Sequence, residues 1–291
     1  MIAPALVTTV LLLAGPAPGA RLSEASADEL ETAVAGVAAL PDLPGRLVAA
    51  SEKLLGVPYQ FDPLGEGPGA PPDEDPRLRF DLMDCQTFVE TVLALALSKH
   101  ASQVQGVLDD VRYEGSPAYA HRNHFFEAQW VPANARKGYV KDATAAIGGK
   151  DAVAHVKAVT RAQWSKRIFA EKIALPDERI PVGRFPLSYV PLRKVLAHAR
   201  AIPSGTLFAV VRADRPRAPT MVTHLGLVVQ KPEGTFMRHA GLDQYRSVVD
   251  EPMEHFVERN LTYKKWRVLG LWFLQVTEPA GSASVSEAKP N

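Results

Sequence analysis

The chain has 291 residues, 46% of them hydrophobic and 22% charged, with one cysteine and a net charge of +1. That composition is globular, with material for one elaborated domain or two small ones, and it excludes disorder as the default. A charge balance so close to neutral supplies no field for nucleic acid or an anionic membrane surface, so the partner is neutral or read by local charges.

The first twenty residues, MIAPALVTTVLLLAGPAPGA, join an apolar run from Ala5 to Ala14 to small residues through Ala20. This is the core and cleavage-site pattern of a secretory signal over residues 1–20, and it predicts export to a periplasmic or extracellular space. The run falls short of the ~20 apolar residues of a spanning helix, so no stable membrane insertion is expected once the signal is removed. Exported cysteines usually pair, but Cys85 has no partner within the chain. It is therefore either deeply buried or kept for its reactivity.

Apolar spacing predicts helices over 27–40 and 45–55, followed by an irregular stretch rich in Gly, Pro and Asp, GVPYQFDPLGEGPGAPPDEDP. The next segment, DCQTFVETVLALAL, places Cys85, Phe88, Val89, Val92, Leu93, Ala96 and Leu97 on a helical stripe with Asp84 as the N-cap. A further helix is expected at 101–111 and a turn at 115–117, but the stretch 99–200 otherwise resists reading and is treated as an insertion. From residue 202 the pattern changes to short β-branched runs at 205–212, 222–230, 234–240 and 267–276, the first three spaced as an antiparallel meander. Helices followed by strands predict an α+β domain over 21–277, with the cysteine helix packed on a C-terminal antiparallel sheet and a disordered tail at 278–291.

The first turn of a helix favours a thiolate, because free N–H groups and the positive end of the dipole point at it. Cys85 occupies that position and is the candidate nucleophile, with core filler as the competing reading. His224 interrupts an apolar strand and His239 lies in the next one. Neighbouring strands can set two such rings side by side, as base and orienter, although a hydrogen-bonded core histidine is equally a strand feature. His100, His155, His198 and His255 sit in polar surroundings and read as surface residues.

Together the segments GVPYQFDP, DCQTFVETVLALAL, HRNHFFEAQWVP, SYVPL, THLGLVV and FMRHAG resemble the NlpC/p60 superfamily of papain-like cysteine hydrolases, in its N-acetylmuramoyl-L-alanine amidase-like branch. The resemblance spans about residues 54–276. It departs from the wider pattern at Gln86, where a serine is usual, and at Phe125, where the amidase branch has a tyrosine.

The resemblance implies a papain-like NlpC/p60-type α+β fold with Cys85 as nucleophile, His224 as general base and His239 as the third polar residue. It implies hydrolysis of the amide between N-acetylmuramic acid and L-alanine in peptidoglycan or muropeptide fragments. Tyr59 would border the cleft, and Arg122 and His124 would bind substrate or belong to a structural polar network. Two readings compete. One is a γ-D-glutamyl-diamino-acid endopeptidase of the same fold, in which Asp84 would meet a free alanine amine; the other is a non-catalytic wall-binding protein. His121, His124 and Glu127 could share a helical face, but their spacing is not H-E-x-x-H, and neither metal nor cofactor is expected.

Overall fold

Side-chain caps set where the N-terminal helices begin. In the computed structural model, which describes residues 22–165, 173 and 175–279, Ser26 and Glu29 exchange hydrogen bonds across the start of α1 (Ala27–Ala38). The Asp42 carboxylate accepts from the Gly45 N–H to open α2 (Leu43–Glu52). Asp84 accepts from the Gln86 and Thr87 N–H groups at 3.0 and 2.8 Å, and its own N–H donates to the Thr87 hydroxyl. These bonds satisfy donors that a helix start leaves unpaired, and they make Cys85 the first residue of α3 (Cys85–Leu97).

Every residue of α3 from Thr87 to Ala96 is buried. A helix sunk this deep must be apolar on all sides. Its one acid, Glu90, is paired with Arg112 at 2.7 Å, at the end of α4 (Ala101–Arg112). The expectations for these four helices agree with the structure to within three residues at each end.

The stretch after α4 contributes α5 (Val131–Lys137), β1 (Val140–Asp142), α6 (Thr144–Gly148), β2 (Val153–Val159), α7 (Arg161–Ser165), β3 (Gly183–Pro191) and α8 (Leu192–His198). Then come β4 (Leu207–Arg212), β5 (Val222–Lys231), β6 (Gly234–Gly241), β7 (Ser247–Pro252), α9 (Met253–Leu261) and β8 (Val268–Val276). The eight strands form one sheet in the order β2-β3-β8-β4-β5-β6-β7, with β1 also on β8, and every pairing is antiparallel. The fold is α+β. The meander runs from β4 through β7, but β8 returns to the middle of the sheet, between β3 and β4. The part of the chain that was hardest to read, 99–200, thus supplies a helix of the core and three strands. The proposed signal at 1–20 lies outside the described residues, as does the tail from 280 on.

Strand alternation divides the core in two. Leu207, Ala209, Val211, Leu225, Leu227, Ala240, Trp272 and Leu274 pack with α1 to α4, whereas Phe208, Val210, Val228, Met237, Leu271 and Phe273 pack with α8 and α9. The sheet is therefore covered on both faces, with the cysteine helix on the first.

Because Asp84 carries the start of α3, Asp84→Ala should lower stability by about 1–2 kcal/mol in urea unfolding, the usual cost of a lost N-cap. Asp84→Asn should recover most of that loss.

Candidate active site

Ala209 pairs with Leu225 and Val211 with Val222, so Thr223 and His224 together oppose the single residue Val210. Such a bulge bends its strand and re-aims a side chain. His224 is delivered from it to the face shared with α9, where its ring lies 6.4 Å from Phe256 and 6.3 Å from Phe208. The pairing of Leu227 with Arg238 places His239 on that same face of β6. A side chain at Gly226 would strike the Phe208 ring, with its Cβ 2.6 Å away, so glycine leaves room there for Phe208 beside the histidines.

His224 Nε2 and His239 Nδ1 are 3.0 Å apart, with the rings nearly perpendicular. His239 Nε2 is in turn 3.0 Å from Glu251 Oε2, on β7. Glu251 is fully buried and accepts from Arg259 Nε and Nη2 at 2.7 Å each, while His255 Nδ1 lies 2.8 Å away. Burial alone would raise the Glu251 pKa, but the bonds from His239 and Arg259 outweigh it and hold the carboxyl down at about 2. An ionised carboxylate only accepts, so His239 donates from Nε2. In the tautomer that donates from Nε2, His239 Nδ1 accepts from His224 Nε2–H, and the lone pair of His224 Nδ1 is left to act as a base.

Cys85 approaches from the other face, through the packing of α3 on β5. Burial first, and then the Asp84 carboxylate, push its thiol up to about 12, against the opposing effect of the Leu225, Cys85 and Gln86 N–H groups. Burial, then the neighbouring His239, hold His224 well below the ordinary imidazole value. Burial thus works against charge on both Cys85 and His224, in opposition to the helix start. They line one cavity of about 640 Å³, together with Tyr59, His239, Arg212 and Asp243.

A model of the AmiA-like family, described as N-acetylmuramoyl-L-alanine amidase-like, matches residues 49–263. The chain belongs to this amidase-like family. Among solved structures it is similar to a Legionella pneumophila protein of the DUF1460 family, with a TM-score of 0.75 and 24% identity over 87% of this chain and 95% of that one. It is also similar to an N-acetylmuramoyl-L-alanine amidase from Bacteroides uniformis, with a TM-score of 0.65 and 20% identity over 81% and 99% of the two chains. At these identities the likeness is one of fold. No curated protein matches the chain. None of the matches leads to the NlpC/p60 superfamily or its papain-like fold, so the amidase-like family replaces that wider assignment.

In this amidase-like protein Tyr59 lines the cavity, and burial and the adjacent Cys85 raise its phenol pKa. The other three expected substrate-binding residues are placed elsewhere. Asp84 caps α3, and its second oxygen accepts from the Asp62 N–H at 3.1 Å. Arg122 is buried away from the cavity wall and bonds Asp62 at 3.1 Å, Glu66 at 2.7 Å and Asp73 at 2.6 Å, three acids of the irregular stretch before α3. His124 Nε2 donates to the Tyr119 carbonyl at 2.8 Å. Arg122 and His124 thus belong to a structural network, since a loop without regular secondary structure needs such ion pairs to be ordered. His121 donates to the Ser116 carbonyl, and Glu127 accepts from Thr220 and Met221, so these residues do not converge with His124. Among the described residues no group of three His, Cys, Asp or Glu is placed to hold a metal ion.

The sequence reading missed Glu251 and Arg259; His255, read as a surface residue, is exposed and lies against the Glu251 carboxylate. Glu251 lies on β7 and Arg259 on α9, so no single helical or strand periodicity joins them in the sequence.

Removing Arg122 leaves the buried Glu66 carboxylate without its cation, so Arg122→Ala should cost about 3–5 kcal/mol in urea unfolding. Acid should destabilise the fold through the histidines. Burial holds His124 at about 3 and lowers His224 as well, whereas both titrate near 6.5 when unfolded. Between those values only the unfolded chain binds the protons, so stability falls with falling pH, by about 1.4 kcal/mol per unit for each site. Urea titrations from pH 7 to pH 4.5 should show this slope, and His124→Gln should make it shallower.

Proposed function

We propose that this protein is an exported cysteine amidase that hydrolyses the bond between N-acetylmuramic acid and L-alanine in peptidoglycan or its muropeptide fragments. The observation that carries the reading is a thiol and an oriented imidazole lining one cavity in a member of an amidase-like family. Export rests on the apolar run and small residues at 1–20.

In the first step the Cys85 sulfur attacks the lactyl carbonyl carbon while its proton passes to His224 Nδ1. Burial disfavours charge on either partner, so the proton transfer accompanies the attack. The Cys85 N–H, at the helix start, donates to the oxyanion that develops. The carbon–nitrogen bond then breaks, His224 returns the proton to the departing alanine amine, and a thioester remains. Water attacks the thioester, gives a proton to His224, and releases the muramic carboxylate as Cys85 regains its hydrogen. His239 keeps His224 in the correct tautomer throughout, and Glu251 does the same for His239.

In the endopeptidase alternative, where the same machinery cuts further along the stem peptide, Asp84 would meet a free alanine amine; in the fold its two oxygens already accept bonds at the start of α3 and from Asp62.

Mass analysis of digested muropeptides should show muramic sugar free of peptide and peptides beginning with L-alanine. Products cut beyond the second stem residue would instead assign endopeptidase activity. Cys85→Ala should abolish turnover with the fold retained, and His224→Ala should lower kcat at least ~10²-fold. Thiol alkylation should inactivate the enzyme while chelators leave it active; the reverse pattern would sink the cysteine mechanism. Glu251→Gln should lower kcat, and its pH profile should separate this from a purely structural loss. A neutral amide can donate to His239 as well as accept, so the acid limb attributed to His224 should shift.

A further inference from the structure

The cavity holds one cation that the proposed chemistry does not use. Arg212 ends β4, on the strand opposite the bulge that carries His224. Its Nε donates to the Thr223 hydroxyl at 2.8 Å and its Nη1 to the Trp266 carbonyl. The guanidinium lies 4.6 Å from the Tyr263 ring centre and 5.8 Å from that of Trp266. Two hydrogen bonds and two rings therefore fix its plane.

Among the described residues no hydrogen bond engages Nη2, and no carboxylate forms an ion pair with Arg212. The contrast within the same wall is informative. Arg259 also lines the cavity, but both of its bonding nitrogens are committed to Glu251. Asp243, the carboxylate of the lining, accepts from the Tyr263 hydroxyl at 2.7 Å. Arg212 is half-buried, and burial lowers its pKa, with Tyr263 and Asp243 acting in the opposite sense. A partly desolvated guanidinium without an anion gains most from a ligand that brings one.

We propose that Arg212 is the specificity-determining cation of this cavity and pairs with a carboxylate of the ligand beside the scissile amide. Taken with the amidase reading, on which this identification of the ligand rests, the anion is the α-carboxylate of the D-glutamate that follows L-alanine. A stem peptide with that carboxyl free is then preferred over one with it amidated. Arg212 makes no contact with the reacting atoms in this scheme and acts on binding.

Two measurements test the assignment. In the first, N-acetylmuramoyl-L-alanyl-D-glutamate peptides with the glutamate α-carboxyl free or amidated are compared as substrates. Arg212→Gln should raise KM for the free acid at least tenfold and for the amide less than threefold. An equal rise for both overturns the pairing. In the second, Cys85 is alkylated with anionic iodoacetate and with neutral iodoacetamide. A cation in the same cavity favours the anion, so Arg212→Gln should lower the iodoacetate-to-iodoacetamide rate ratio several-fold, and Arg212→Lys should restore part of it. A ratio that Arg212→Gln leaves unchanged overturns the proposal.

The alkylation arm needs no substrate turnover. If the wild type cleaves neither peptide, the amidase reading fails and the alkylation ratio alone decides whether Arg212 serves anions. Should Arg212→Gln not fold, Thr223→Val removes only the Nε acceptor and should move both ratios in the same direction by a smaller factor; no movement overturns the proposal.

Discussion

A buried carboxylate organises the cavity end of this fold. Glu251 has no exposure to solvent, and an ion in that position costs several kcal/mol unless its partners replace water. Arg259 supplies a two-pronged match from α9, and His239 supplies the remaining donor from β6. The same bonds therefore dock α9 on the sheet and set which nitrogen of His239 carries hydrogen. Phe256, on the same helix, packs under both imidazoles at 5.6 and 6.4 Å. Replacing Glu251 with an apolar residue would strand the Arg259 charge and release both rings, so electrostatics and packing at this point are not separable contributions.

Cys85 and His224 reach the cavity from opposite faces of the sheet. Cys85 belongs to the core shared with α1 to α4, whereas His224 belongs to the face covered by α8 and α9. A regular strand alternates sides and would carry its residues past the meeting point, so the extra residue at Thr223 and His224 matters. The helix dipole suggests a thiolate at Cys85, but Asp84, which makes the helix start possible, places a negative charge beside the sulfur. Burial is the larger influence on the thiol, and the residue that positions Cys85 adds to it rather than opposing it.

Much of this was legible in the sequence because it depends on local rules. The Asp84 cap, the apolar stripe of α3 and the β-branched runs of β4, β5, β6 and β8 each follow from neighbouring residues. Cys85 stands out by being unpaired, and His224 and His239 by interrupting strands. The strands in 99–200 were missed because their apolar alternation is weak: β2 has Val153 and Val156 exposed, and Lys157 is buried against Asp214. Glu251 was missed because it stands in RSVVDEPMEHF, a polar stretch whose burial is decided by α9 folding back on it. Arg212 carries no signal in the sequence beyond ending a strand, and only the fold shows what surrounds it in the cavity.

Arg122 illustrates how a motif can be read for the wrong link in the chain. HRNHFF lies near the catalytic segments in the family pattern, and an arginine there suggests contact with a substrate anion. In the fold its guanidinium bonds Asp62, the Asp62 N–H donates to the Asp84 carboxylate, and Asp84 opens the helix that begins at Cys85. The same irregular stretch carries Tyr59, held by its N–H to the Arg246 carbonyl, and reciprocal bonds join Pro58 and Gln60 to Met83. Arg122 therefore bears on the cavity through the residues that place its wall and its nucleophile. A sequence motif marks both kinds of residue alike, because loss of either removes the site, and only the path of hydrogen bonds separates a group that meets the substrate from one that holds the group that does.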